Sequence, residues 1–145
     1  MNTFQAWWAQ NVDTLLVVGV ASIVGFLIGL QRVALSWRAS LRVHVFVAIG
    51  GALFVHIPTK LYPQTITLSP LVQGVAAGVG FLGGGAILRR PEGNKVTGIT
   101  VAATIWLTAA LGMSVGLGSL VLPVILGAAS LAFIKLTSIG EHLQQ

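Results

Sequence analysis

Gly78-Val-Gly-Phe-Leu-Gly-Gly-Gly-Ala-Ile-Leu-Arg-Arg90 closes an apolar stretch with a run of glycines and then two arginines. Five of the eight residues from Gly78 to Gly85 are glycine, and in an ordinary helix interior each costs about 1 kcal/mol relative to alanine. Such a density needs a packing or backbone reason, and a membrane supplies one. Small residues let helix backbones approach closely, and an unwound backbone is tolerated at membrane depth only where protein or a water cavity completes its hydrogen bonds. The stretch reads as the end of a transmembrane helix with its arginines at the boundary.

Composition points the same way. Of the 145 residues 55% are hydrophobic and 8% charged, and the mean hydropathy is +0.92, too little polar surface to cover a soluble globule. Helices of about 20 residues would consume nearly the whole chain. The expectation is therefore a single transmembrane domain over 1–145, with no soluble C-terminal domain. The absence of cysteine removes disulfides, thiolate metal sites and cysteine nucleophiles together. The first basic residue is Arg32, so the basic start of a cleavable signal peptide is missing and the first span is expected to stay in the mature protein.

Five apolar runs cover 15–30, 43–57, 71–88, 99–117 and 120–136, and none alternates with the period of a strand. The fold class they predict is an all-α polytopic membrane protein with five transmembrane helices. The second run, 15 residues long, is short for a span and is expected to continue past Pro58 with Lys60 snorkelling outward. Asp13, Ser40 and Thr97 precede three of the runs as candidate N-caps. Arg32, Arg38, Arg42, Arg89, Arg90, Lys95 and Lys135 fall on one side of the membrane and Lys60 on the other. By the positive-inside rule the N-terminus is then outside and the C-terminus cytoplasmic. Phe4, Trp7, Trp8 and Tyr62 fall at the outer boundary as an aromatic belt.

Thr100, Thr104, Thr108, Gly112 and Gly116 follow one another at four-residue steps along the fourth run. That stripe serves either tight helix packing or a hydroxyl-lined permeation path. Gly25/Gly29, Gly74/Gly78 and Gly80/Gly84 are the notches it could meet, with the third helix or a second protomer as partner. Arg42 and His44 begin the second run. Arg42 either faces a protein-lined cavity or snorkels to the interface, and His44 either switches charge or hydrogen-bonds a neighbour. Gln73, toward the outer end of the third run, reads as a helix-to-helix hydrogen bond rather than a ligand site.

The only acidic residues are Asp13, Glu92 and Glu141, none inside an expected span. No metal site is expected, and direct transport of a divalent cation is disfavoured, because magnesium and calcium call for hard oxygen ligands, usually carboxylates. No nucleophile–base pair, metal-ligand helix or phosphate loop is spaced for catalysis, so neither enzyme activity nor a cofactor is expected. Despite a pI near 10.9, the basic residues flank helices without forming a patch of their own, which argues against nucleic acid. The bilayer is the partner they fit.

The 78–90 stretch, followed by Val96-Thr-Gly-Ile-Thr-Val-Ala-Ala-Thr-Ile-Trp-Leu-Thr-Ala-Ala-Leu-Gly112 and preceded by Gly29-Leu-Gln-Arg32 and Leu41-Arg-Val-His44, resembles the MgtC/SapB family of bacterial membrane proteins. The resemblance implies a small helical protein of the bacterial inner membrane associated with growth in low magnesium and with virulence. It implies action through contacts with other membrane proteins, or transport, the label the wider family has often carried; a homo-oligomer is also expected. The residues matching the family's motifs are Arg32, Arg42, His44 and Thr100, as a candidate polar site, and Gly78, Gly80, Phe81, Gly83, Gly85 and Trp106, as a helix-packing motif. The chain departs from the family pattern at Gln31, where a glutamate is common, and at Val43 and Val101, where threonines are. The acidic and arginine residues often found before the third helix are replaced by Thr67 to Pro70.

Overall fold

A computed structural model describes residues 2–33, 38–89, 96–129 and 132. Four long helices run α1 (Thr3–Val33), α2 (Arg38–Leu61), α3 (Leu68–Ala86) and α4 (Ile99–Gly116), with strands β1 (Leu88–Arg89) and β2 (Val96–Thr97) between α3 and α4. All four helices are long and apolar enough to cross a membrane, over Thr3–Leu30, Leu41–Leu61, Leu68–Ala86 and Ile99–Gly116. The fifth apolar run is helical over 121–129 and at 132; residues 130, 131 and 133–136 lie outside the described residues, as do Arg90, Glu92, Lys95, Lys135 and Glu141.

Local chemistry explains most of the boundaries. Pro58 sits inside the last turns of α2, where its missing N–H removes one ladder bond without stopping the helix, and Tyr62 N–H closes the end on the Pro58 carbonyl at 2.8 Å. The expected continuation past Pro58 is thus present. At the other end of the bundle the glycine run finishes α3, and Ile87 N–H donates to Gly84 O at 3.2 Å. The backbone then forms a two-residue antiparallel pairing, Leu88 with Thr97 and Arg89 with Val96. Gly98 follows with φ 93°, a conformation side chains avoid, and a Cβ there would run into the Ala86 carbonyl.

Three expectations change. Asp13 is not a cap, because α1 begins ten residues earlier, at Thr3; its polar first turns hold together partly through Asn11 Nδ2 donating to Trp7 O at 2.8 Å. Ser40 lies within α2. Thr97 gives way to Gly98 as the N-cap of α4, while its own hydroxyl donates to Leu88 O at 3.3 Å across the hairpin. The hairpin was also unforeseen, since two residues per strand are too few to show a period.

α2 is the central element, packed along both α1 and α4, whereas α3 leans on α4 and touches α2 little. Two small apolar cores result. Ala21, Ala48, Ala52 and Val115 join α1, α2 and α4, and Val79, Ile105 and Ala109 join α3 to α4. Leu16, Ile23, Phe26, Phe46 and Phe54 point outward, as a surface facing acyl chains would.

Candidate functional site

Glycine and alanine set the geometry at the centre of the bundle. A Cβ built on Gly112 would collide with the Ala48 carbonyl, and one on Gly116 with the Ala52 carbonyl. Gly51 of α2 stands as close to α4 from the other side, 2.7 Å from built Cβ to Ala109 O. On α1, Gly25 and Gly29 approach the backbone of α2 at His44, Val45 and Leu41. The stripe on α4 therefore meets α2, not α3, and of the notches anticipated on other helices only Gly25/Gly29 is filled, by α2. Gly74, Gly78, Gly80 and Gly84 would each admit a Cβ with nothing within 4 Å.

A polar contact lies in this seam. His44, fully buried, has Nε2 3.2 Å from Thr104 Oγ1. Thr104 O–H donates back along its own helix, 2.9 Å from Val101 O and 3.1 Å from Thr100 O. A hydroxyl has one proton, so Thr104 oxygen accepts and His44 Nε2–H donates, an assignment made from the network. One turn on, Thr108 O–H donates to Thr104 O at 2.7 Å. The hydroxyls thus bond carbonyls of α4, and the next two steps of the stripe are glycines pressed onto α2. Among the described residues the seam is packed and holds no continuous hydroxyl-lined path.

The residues singled out from the sequence are only partly brought together. His44 meets Thr104, and Thr100, exposed itself, contributes its carbonyl to the same hydroxyl. Arg42 is exposed, because two residues along a helix turn it about 200° from His44. Arg32 lies in the last turn of α1, and its side chain lies outside the described residues. In the glycine-rich motif, Gly83 meets Ala102 with 3.5 Å from built Cβ to its methyl, while Gly78, Gly80 and Gly85 meet nothing within 4 Å. Phe81 and Trp106 face outward, 83% and 54% exposed.

A second polar cluster ties the other ends of α1 and α2. Lys60 Nζ donates to Gln10 O and Asp13 Oδ1, each at 2.6 Å, and to Thr14 Oγ1 at 3.2 Å. His56 Nε2 lies 3.2 Å from Thr14 Oγ1 and 3.8 Å from Asp13 Oδ2. Lys60 reaches α1 instead of snorkelling outward. The signal was available: Asp13 and Lys60 are the two charges assigned to the outer side, of opposite sign, on consecutive spans. No group of three metal-ligating side chains forms among the described residues.

Between α2 and α3 an open apolar groove of about 660 Å³ is lined by Phe46, Gly50, Phe54, Gly74, Gly78 and Leu82, among others.

The sequence profile of the MgtC family matches residues 18–142. SrpB of Synechococcus elongatus is 46% identical over 110 residues, 68% of this chain and 60% of SrpB. YhiD of Escherichia coli K12, whose name offers magnesium transport as its candidate activity, is 37% identical over 106 residues, 68% of this chain and 48% of YhiD. MgtC of Salmonella typhimurium LT2 is 39% identical over 106 residues, 68% of this chain and 41% of MgtC. The chain spans about half the length of the curated relatives it matches. No solved structure matches it.

Proposed function

The chain belongs to the MgtC family, and from that premise we propose that it is a non-enzymatic protein of the bacterial inner membrane, linked to magnesium homeostasis or stress adaptation, which acts by contacting other membrane proteins. In this reading it crosses the membrane five times, with the N-terminus outside and the C-terminus in the cytoplasm. The magnesium link rests on the candidate activity in the name of YhiD.

The observation that carries the contact-based reading is the closed seam between α2 and α4. Gly112 and Gly116 press onto the Ala48 and Ala52 carbonyls, the buried hydroxyls are turned onto their own helix, and Asp13 is tied to Lys60. Among the described residues that seam carries no carboxylate to hold a divalent cation along a pathway. The exposed Arg42, Phe81 and Trp106 are free of core packing duties and suit contact with another protein.

Transport is the second reading, favoured by the name of YhiD. Affinity purification from membranes of cells grown at low magnesium separates the two. A contact-acting protein retains one particular membrane enzyme or transporter in defined proportion. Recovery of this chain with no such partner, together with rescue of a deletion strain, would count against the proposal.

A further inference from the structure

Gln73 stands on the exposed side of α3, its Nε2 donating to Ser69 Oγ at 3.0 Å. α3 has 19 residues, about 28 Å at 1.5 Å per residue, close to the thickness of a bilayer core. Gln73, five residues in, therefore lies about 7 Å below the boundary. An amide there gains little from lipid, and its carbonyl oxygen has no hydrogen bond among the described residues.

The surface around Gln73 is small-sided where much of the exterior is bulky, as at Leu16, Ile23, Phe46 and Phe54. On α3, Ala77, Gly80 and Gly84 follow Gln73, all exposed, and a Cβ added to either glycine meets nothing within 4 Å. These four residues fall within about 60° of arc on one helix face. Their 4-3-4 spacing is that of helices packed side by side at about 20°. The face that meets α4, through Val79 and Gly83, is a different one, so among the described residues this side is left open at Gly80 and Gly84.

We infer that this face of α3 binds the same face of a second copy of the chain. Two copies inserted the same way in one membrane are related by a two-fold axis along its normal, which brings each residue against its own counterpart. A primary amide is both donor and acceptor, so it complements itself: Gln73 of each protomer donates to the other's amide oxygen. Ala77, Gly80 and Gly84 let the backbones come close enough for that exchange. The inference rests on α3 spanning the membrane, and alkaline extraction of each variant reports insertion separately.

The chain has no cysteine, so single cysteines can be oxidatively cross-linked in native membranes without background. Ala77→Cys should give a covalent homodimer, while Ile23→Cys and Phe46→Cys, at exposed positions on α1 and α2, should not. Gln73→Leu should weaken dimerisation about tenfold and Gln73→Asn much less, and Gly84→Ile should abolish the Ala77 cross-link with insertion unchanged. Cross-linking of Ala77→Cys no greater than that of Ile23→Cys, an adduct with a different protein, or full dimerisation of the inserted Gln73→Leu variant would each overturn the inference.

Discussion

His44 on α2 and Thr104 on α4 share a 3.2 Å hydrogen bond at a point where both side chains are almost wholly buried. Because Thr104 already spends its proton on a carbonyl of its own helix, the two substitutions are not equivalent. Thr104→Val leaves the imidazole N–H without an acceptor, which should cost about 1–3 kcal/mol. His44→Leu leaves a threonine that still bonds Val101, so loss there reflects the hydrogen bond and packing and should be smaller. Thermal melts in detergent should rank Thr104→Val below His44→Leu, and the double variant close to His44→Leu; additive losses would contradict the pairing.

Gly112 and Gly84 make a sharper comparison, since both belong to small-residue pairs at four-residue spacing and only one is enclosed. Gly112→Ala drives a methyl into the Ala48 carbonyl and should destabilise the bundle by about 1–3 kcal/mol. Gly84→Ala adds a methyl to open space and should leave the melting of the monomer unchanged or slightly raised, as alanine favours helix. Equal effects at the two sites would refute the packing described for α4.

How much of this was legible in the sequence follows from what periodicity can and cannot carry. The spans of α2, α3 and α4 came through because long apolar runs have no other stable form. The stripe from Thr100 to Gly116 announced a close contact, but spacing does not say which neighbour fills it: Gly80/Gly84 and Gly25/Gly29 look alike as letters, and only tertiary packing puts α2 against α4 and Gly25/Gly29 against α2. The start of α1 was hidden because Gln5, Gln10 and Asn11 interrupt the apolar pattern, although a helix that projects past the bundle needs no apolar face there. At the candidate site, nearness in sequence misled. Arg42 and His44 are two residues apart yet point to different sides of α2, and the partner of His44 comes from a helix 60 positions away.

Orientation can be read directly in a chain that lacks native cysteine. Cysteines placed singly at Thr3 and Lys60 should react with an impermeant maleimide in intact cells, and those at Asn94 and Gln144 only after lysis, as seven-to-one segregation of basic residues requires. Labelling of Asn94→Cys from outside would overturn the five-span arrangement.

Arg42 is exposed at the start of α2, so its substitution should not disturb folding. If it contacts a partner protein, Arg42→Gln should insert and accumulate normally but fail to complement a deletion strain at low magnesium, with Arg42→Lys partly active because it keeps the charge but not the planar fork of donors. Full complementation by Arg42→Gln would reduce Arg42 to an anchor at the membrane surface.

Magnesium flux into liposomes holding the purified protein tests the central claim most directly. A protein that works by contact, with the seam between α2 and α4 closed, should admit no more magnesium than protein-free liposomes, at any imposed gradient or membrane potential. Saturable magnesium entry that depends on the protein would contradict the account and make transport the function.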